Sequence, residues 1–203
     1  MGLVSAEKQA ESLFRRHNGV LRTSRALKLG IHPRTLYRLR DSGHLVHVSR
    51  GVYRLADQPD PDKPDLVVVA ARVPQAVVCL ISALFFHELT TQVPHEVQIA
   101  LPRGTRRPRL DHPPIRVFRF TGNAYQEGIE THTIGGVRVR VYSPAKTVAD
   151  CFKFRNKMGL DVALEALRDY RRKYRAGMDE LWRFAKICRV AEVMRPYLEA
   201  LAS

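Results

Sequence analysis

Arg34, Thr35, Tyr37 and Arg38 crowd one short stretch of the chain, and their chemistry suits an anionic polymer. A guanidinium is a planar fork that makes two parallel hydrogen bonds, to a phosphate or to the edge of a guanine. Threonine and tyrosine hydroxyls add phosphate contacts, and a threonine methyl fits against the methyl of thymine. A helix over Pro33–Ser42 turns Leu36 and Leu39, three apart, to one face. The four polar residues and His32 then lie on the outward face. Arg50 stands at the tip of Ser49-Arg50-Gly51, between two apolar runs, where it would suit the negative potential of a minor groove. Arg25 and Lys28, one helix upstream, suit phosphate. A merely solvated basic face is the competing reading, and the surrounding elements weigh against it.

Those elements span Thr23–Leu55. Ser24–Leu29 reads as a short helix and Gly30-Ile31 as a turn, glycine relaxing the backbone limits while Ile31 plugs the core. Pro33 suits the first position of the next helix, where its missing N–H costs nothing. Gly43 stops that helix, and Leu45–Val48 and Gly51–Leu55 form a hairpin with a basic tip. Helix, tight turn, helix and hairpin is the layout of a winged helix-turn-helix. Upstream, Ala6–His17 is amphipathic, with Arg15 and Arg16 in its last turn, and Val20–Arg22 is an extended segment expected to pair with the hairpin.

The chain has 203 residues, with 34 Lys and Arg against 20 Asp and Glu, a formal net charge of +14 and a pI near 10.3. That balance favours polyanionic partners. Residues 1–60 carry 11 basic and 5 acidic side chains, and residues 143–203 carry 13 and 8, so both ends are basic. Cys79, Cys151 and Cys188 are widely spaced and odd in number, which predicts buried free thiols in a reducing compartment. With no signal-peptide core and no apolar run of the ~18 residues a span needs, the expectation is a cytoplasmic protein with no membrane partner.

Asp57–Pro64 holds three prolines and three aspartates and no large apolar residue. It reads as a linker, giving a winged helix-turn-helix over 1–56, a linker over 57–64 and a second domain over 65–203. In the second domain Asp65 is expected to cap a helix to Arg72, and Ser82 one to Leu89. Glu96–Leu101 and Ile115–Phe120 read as strands. Gly128–Ile134 and Val137–Tyr142 flank Gly135-Gly136, a two-residue hairpin signal. Ser143-Pro144 opens a helix over Ala145–Lys157, Asp161 caps Val162–Lys173, and two further helices follow. The fold class is α+β: an N-terminal winged helix-turn-helix domain followed by a mixed α/β domain, its strands mostly antiparallel, with a helical C-terminal tail.

GVLRTSRALKLGIHPRTLYRLRDSGHLVHVSRGVYRL resembles the winged helix of the AbiEi-type antitoxins of bacterial abortive-infection (type IV) toxin–antitoxin loci. VPQAVVCLISALFFHEL and VYSPAKTVADCFKFRNKMGLDVALEAL resemble later parts of that family, so the likeness spans most of residues 15–175. Its most specific motif is Ser143-Pro144-Ala145-Lys146-Thr147-Val148-Ala149-Asp150. His32 departs from the family, standing where a serine-like cap is usual. The resemblance implies a repressor of its own toxin–antitoxin operon that binds double-stranded DNA at inverted repeats in its promoter. It also implies an antitoxin to a nucleotidyltransferase toxin. A monomer binding DNA cooperatively is the expected form, with no cofactor.

Other constellations are weaker. Arg103, Arg106, Arg107 and Arg109 form a basic loop, either a second phosphate-contacting patch or a solvated turn. Lys146, Thr147 and Asp150 form a polar site on one helix. Lys146 and Asp150, four apart, read as a local ion pair contributing ~0.3–0.5 kcal/mol if exposed, the alternative being a basic face that Lys153, Arg155 and Lys157 present to DNA or a partner. His44 and His47 point to opposite faces of a strand, and His87-Glu88 lacks the second histidine of a zinc motif, so no metal is expected. The enzymatic alternative is a nuclease-like C-terminal domain, which needs clustered carboxylates and usually a lysine around Mg²⁺. Glu96-Val97-Gln98 offers a carboxylate with glutamine in place of lysine, and the reading is of a non-enzyme.

Overall fold

The computed structural model describes residues 2–202, and the side chains of residues 5–201. They divide into two compact units, residues 1–74 with 132–139, and residues 75–131 with 140–203.

The first unit opens with α1 (Gly2–Arg16), followed by β1 (Val20–Arg22), α2 (Thr23–Lys28) and α3 (Pro33–Asp41). β2 (Leu45–Ser49) and β3 (Val52–Leu55) complete a three-stranded sheet in the order β1-β3-β2, all pairs antiparallel. The expected pairing of Val20–Arg22 with the hairpin is present, with Leu21 opposite Tyr53. Gly30 adopts a φ of 88° at the α2–α3 turn, where a side chain would be strained. Ile31 behind it is buried, and with Ala10, Phe14, Leu21, Ala26, Leu36, Leu39, Leu45 and Leu55 it forms one core. Burying Leu36 and Leu39 fixes the rotation of α3, contributing ~1.5–3 kcal/mol per side chain.

Residues 57–64 are not where the units divide. Arg54 of β3 is buried, and its guanidinium donates to the carbonyls of Gln58 and Pro59 and to the Asp60 carboxylate at 2.5 Å. A buried guanidinium must have partners, and here the proline-rich segment supplies them. The unit therefore continues through α4 (Pro64–Arg72), which packs on β3, and ends at Pro74. Asp65 lies within the first turn of α4 and does not cap it.

The second unit contributes β4 (Val77–Val78), α5 (Leu80–Phe86), β5 (Val97–Pro102), β6 (Ile115–Phe120) and α6 (Asn123–Gln126). β7 (Ile129–Ile134) and β8 (Val137–Tyr142) follow in the chain, their joined ends over residues 132–139 grouping with the first unit. Gly135 and Gly136 between them are both at positive φ, as a tight hairpin turn requires. The five-stranded sheet runs β6-β5-β4-β8-β7 and is mixed: β5–β6 and β4–β8 are parallel, β4–β5 antiparallel. The expectation of mostly antiparallel strands fails because residues 103–114 supply the roughly dozen residues that a parallel crossover needs. β5 is buried along Val97–Leu101.

Ser82 is not a cap. It sits inside α5, accepting from the Gln98 N–H at 2.9 Å and donating to the Glu96 carbonyl. The helical tail consists of α7 (Pro144–Lys153), α8 (Arg155–Met158), α9 (Leu160–Lys173), α10 (Met178–Ile187) and α11 (Ala191–Ala202). Ser143 caps α7 as expected, accepting from the Lys146 N–H, whereas Asp161 lies inside α9 behind Gly159. α7 packs against α5, α9 and α10, and residues 145–152 are all buried. Among the described residues no helix is long and apolar enough to cross a membrane.

Candidate nucleic-acid interface

α3 begins at His32, whose Nδ1 accepts from the Arg34 N–H at 3.2 Å. Histidine thus does the work of the serine-like cap, satisfying one of the amides that a helix start leaves unpaired. Its Nδ1 is engaged in that bond. Pro33 follows at the first helical position.

The solvent face of α3 is built from Arg34, Thr35 and Tyr37. Arg34 is exposed, forms no salt bridge among the described residues, and lies in the first turn. Tyr37 is 43% exposed, and the Arg40 guanidinium lies 5.0 Å from its ring centre. Arg40 also pairs with Asp41. Arg40 therefore braces Tyr37 from the next turn, a role that spacing alone left unassigned.

Arg38 is placed differently from the sequence reading. It is turned to α1 and pairs with Glu7 at 3.2 Å, its side chain 34% exposed. One turn beyond Arg34 on the same helix, it meets Glu7 of α1 where Arg34 meets solvent. A phosphate or base would have to displace Glu7 to engage it. Arg25 and Lys28 are both exposed on α2 and form no salt bridge among the described residues.

At the β2–β3 turn Arg50 is exposed, and its carbonyl accepts from the Arg72 guanidinium. Arg22, at the end of β1 opposite Val52, sits near enough to Arg72 that burial and then that like charge lower its affinity for its proton. Three arginines thus gather at the hairpin. Arg22 was legible from the expected β1 pairing. Arg72 carries no such signal, because the sequence pattern places its helix in the second domain.

Arg103, Arg106, Arg107 and Arg109 are all exposed on the β5–β6 connection of the second unit. Glu96 pairs with Arg116 at 3.6 Å, and the Gln98 side chain accepts from the Ile81 N–H at 3.0 Å. Both are thereby occupied structurally. No group of three His, Cys, Asp or Glu side chains is placed to hold a metal ion among the described residues.

The largest departure is at Lys146 and Asp150. Both are wholly buried, with Nζ 2.5 Å from Oδ2. The ammonium lies 4.0 Å from the Tyr142 ring centre and 5.0 Å from that of Phe120, and the Cys188 thiol donates to Asp150 Oδ1 at 3.2 Å. Burial pushes the Asp150 carboxyl up, opposed by Lys146. Burial likewise pushes the Cys188 thiol up to about 12, and all three cysteines are buried and free. The local ion pair that the spacing predicts is present, and it is sealed in the core rather than set in solvent.

Residues 8–56 match the family model described as transcriptional regulator, AbiEi antitoxin. The match runs from α1 through β3 and takes in every residue of the α3 face and Arg50. Over that segment the likeness read from the sequence is borne out, and it is to a family of regulators and antitoxins. No curated protein matches the chain.

Proposed function

We propose that the first unit is a winged helix-turn-helix that reads duplex DNA, with α3 in the major groove and the β2–β3 tip at the minor groove. The observation that carries this is the α3 surface. Arg34 in the first turn is exposed and in no salt bridge among the described residues, beside Thr35 and the braced Tyr37, while Leu36 and Leu39 anchor the opposite face. In helix-turn-helix proteins the N-terminal residues of the second helix contact base edges, and the helix before it crosses the backbone. Arg25 and Lys28 on α2 would hold phosphates, and Arg50, Arg22 and Arg72 would supply positive charge at the hairpin.

The protein, on this reading, is a cytoplasmic repressor of its own toxin–antitoxin operon and the antitoxin to a nucleotidyltransferase toxin, with no catalytic activity of its own. The regulator and antitoxin character of the matched family supports it, as does the +14 net charge. Titration of the chain against its own upstream region and against random duplex at physiological salt tests the first part. Preference for the upstream region is expected, and equal affinity would leave only a general DNA binder. Co-expression with the neighbouring toxin gene tests the second, growth rescue being expected. Incubation with plasmid and Mg²⁺ or Mn²⁺ tests the third. The occupied Glu96 and Gln98 side chains lead us to expect no cleavage, and cleavage lost in Glu96→Ala would overturn the non-enzymatic reading.

A further inference from the structure

A cavity of about 820 Å³ opens in the second unit between the β6–α6 turn, the end of α7 and the α10–α11 junction. Lys153, Arg155 and Arg189 line it together with Thr121 and Asn123, and Cys188 forms part of its wall. No aspartate or glutamate contributes to the lining. None of the three cations makes a salt bridge among the described residues; Arg155 donates only to the Phe152 carbonyl, at 2.9 Å. Three positive charges lining one concavity favour an anion there.

The α10–α11 junction adds a second observation. The Val190 N–H donates to the Ala185 carbonyl at 2.8 Å and the Arg189 N–H to that of Lys186 at 3.0 Å, closing α10 in the manner that favours glycine after the cap. Arg189 occupies the left-handed position, with φ 60°. A non-glycine residue held in that conformation is strained, and such strain clusters where a side chain is needed at a ligand. α11 starts directly after, so the positive end of its peptide dipoles borders the same cavity at Val190 and Val193. The volume lies in the range of small-molecule sites.

We propose that this cavity binds a polyphosphate anion, the di- or triphosphate of a nucleotide or the inorganic chain itself. Lys153, Arg155 and Arg189 clamp the phosphate oxygens, and Thr121 and Asn123 add neutral hydrogen bonds. The site belongs to the second unit and does not rest on the DNA reading.

Isothermal titration calorimetry of the full chain at physiological salt, with pyrophosphate, tripolyphosphate, ATP and CTP, tests it. Saturable binding at one site per chain is expected, with no binding of sulfate at matched ionic strength. Arg189→Gly relieves the backbone strain while removing the charge, so it should fold at least as well as the wild type yet bind about tenfold more weakly, as should Lys153→Gln. Arg34→Ala should bind polyphosphate like the wild type, so loss of DNA binding and loss of this site are separable. Nucleotides binding more tightly than the inorganic chains would assign the site to a nucleotide, and equal affinities to the phosphate chain alone. Absence of saturable binding, equal binding of sulfate, or wild-type affinity in both cavity variants would overturn the proposal.

Discussion

α3 and α7 begin alike. Each has a polar cap followed by proline, His32-Pro33 and Ser143-Pro144, and each places a basic residue within its first turn. Their charges end in opposite surroundings. Arg34 stands in solvent with no salt bridge among the described residues, while Lys146 is sealed with Asp150 between aromatic rings. The start signals are the same because the unpaired amides at a helix start are the same everywhere. What differs is the number of neighbours. α3 packs on α1 and β2 along one stripe, and α7 is enclosed by α5, α9 and α10. A cation sealed among neighbours, as Lys146 is, serves folding, and one on an open face, as Arg34 is, is available to a ligand.

The sharpest way to break this contrast is to delete one member of the sealed pair. Asp150→Ala leaves a buried ammonium with two aromatic faces and no counter-charge, and should lower unfolding free energy by about 3–5 kcal/mol. Replacing both Lys146 and Asp150 with apolar residues of similar volume should recover much of that loss, since the desolvation cost vanishes with the charges. Urea melts of the single and double variants decide it. A loss under about 1 kcal/mol in Asp150→Ala would mean that the pair is exposed in solution.

Arg34→Ala reads the opposite side of the comparison. It should leave the melt unchanged and cost about 1–3 kcal/mol on the true operator, with much less lost on random duplex, as expected for a guanidinium that contacts a guanine. Parallel losses on both would make Arg34 a phosphate clamp and move base reading to Thr35, Tyr37 or the hairpin. Arg38→Ala sharpens the point, because its pairing with Glu7 predicts a smaller effect on DNA than Arg34→Ala has.

The pH dependence of the sealed pair gives a third measurement. The folded-state carboxyl of Asp150 is raised above the ordinary 3.8, chiefly by burial. The stability tied to that shift is present below the unfolded value and is lost as pH rises through the folded one. Asp150→Asn cannot titrate there. The wild type's stability relative to Asp150→Asn should therefore be greatest near pH 4 and decline as pH rises. An advantage that grows with pH would mean that Lys146 holds the carboxyl ionised and low.

Local features of the chain were legible where local physics decides them. The Leu36–Leu39 spacing set the outward face of α3, Gly30 and Pro33 marked its turn and start, and Gly135-Gly136 marked the β7–β8 hairpin. Features that depend on a distant partner were not. Proline and aspartate made residues 57–64 look like a free linker, and only the buried guanidinium of Arg54 shows why they are held. Spacing predicted that Lys146 and Asp150 meet, but burial comes from α5, α9 and α10. Arg38 looked equivalent to Arg34 by periodicity, and Glu7, from a different helix, separates them. The cavity residues Thr121, Lys153 and Arg189 are scattered along the sequence with no shared motif.

The smallest effect should come from Lys28. It lies at the end of α2, exposed and without a salt bridge among the described residues, on the helix that precedes α3 rather than on the face proposed to read bases. A lysine ammonium is a point charge that neutralises a phosphate without reporting on the bases. Lys28→Ala should therefore weaken binding to operator and to random duplex by the same factor. Each neutralised phosphate releases condensed counterions, so losing one such contact should reduce the slope of log affinity against log salt by about one. Titrations of both duplexes at several salt concentrations separate the outcomes. An unchanged slope would mean that Lys28 stays in solvent in the complex. A loss confined to the operator would put Lys28 in a groove and require α2, not α3, to approach the bases.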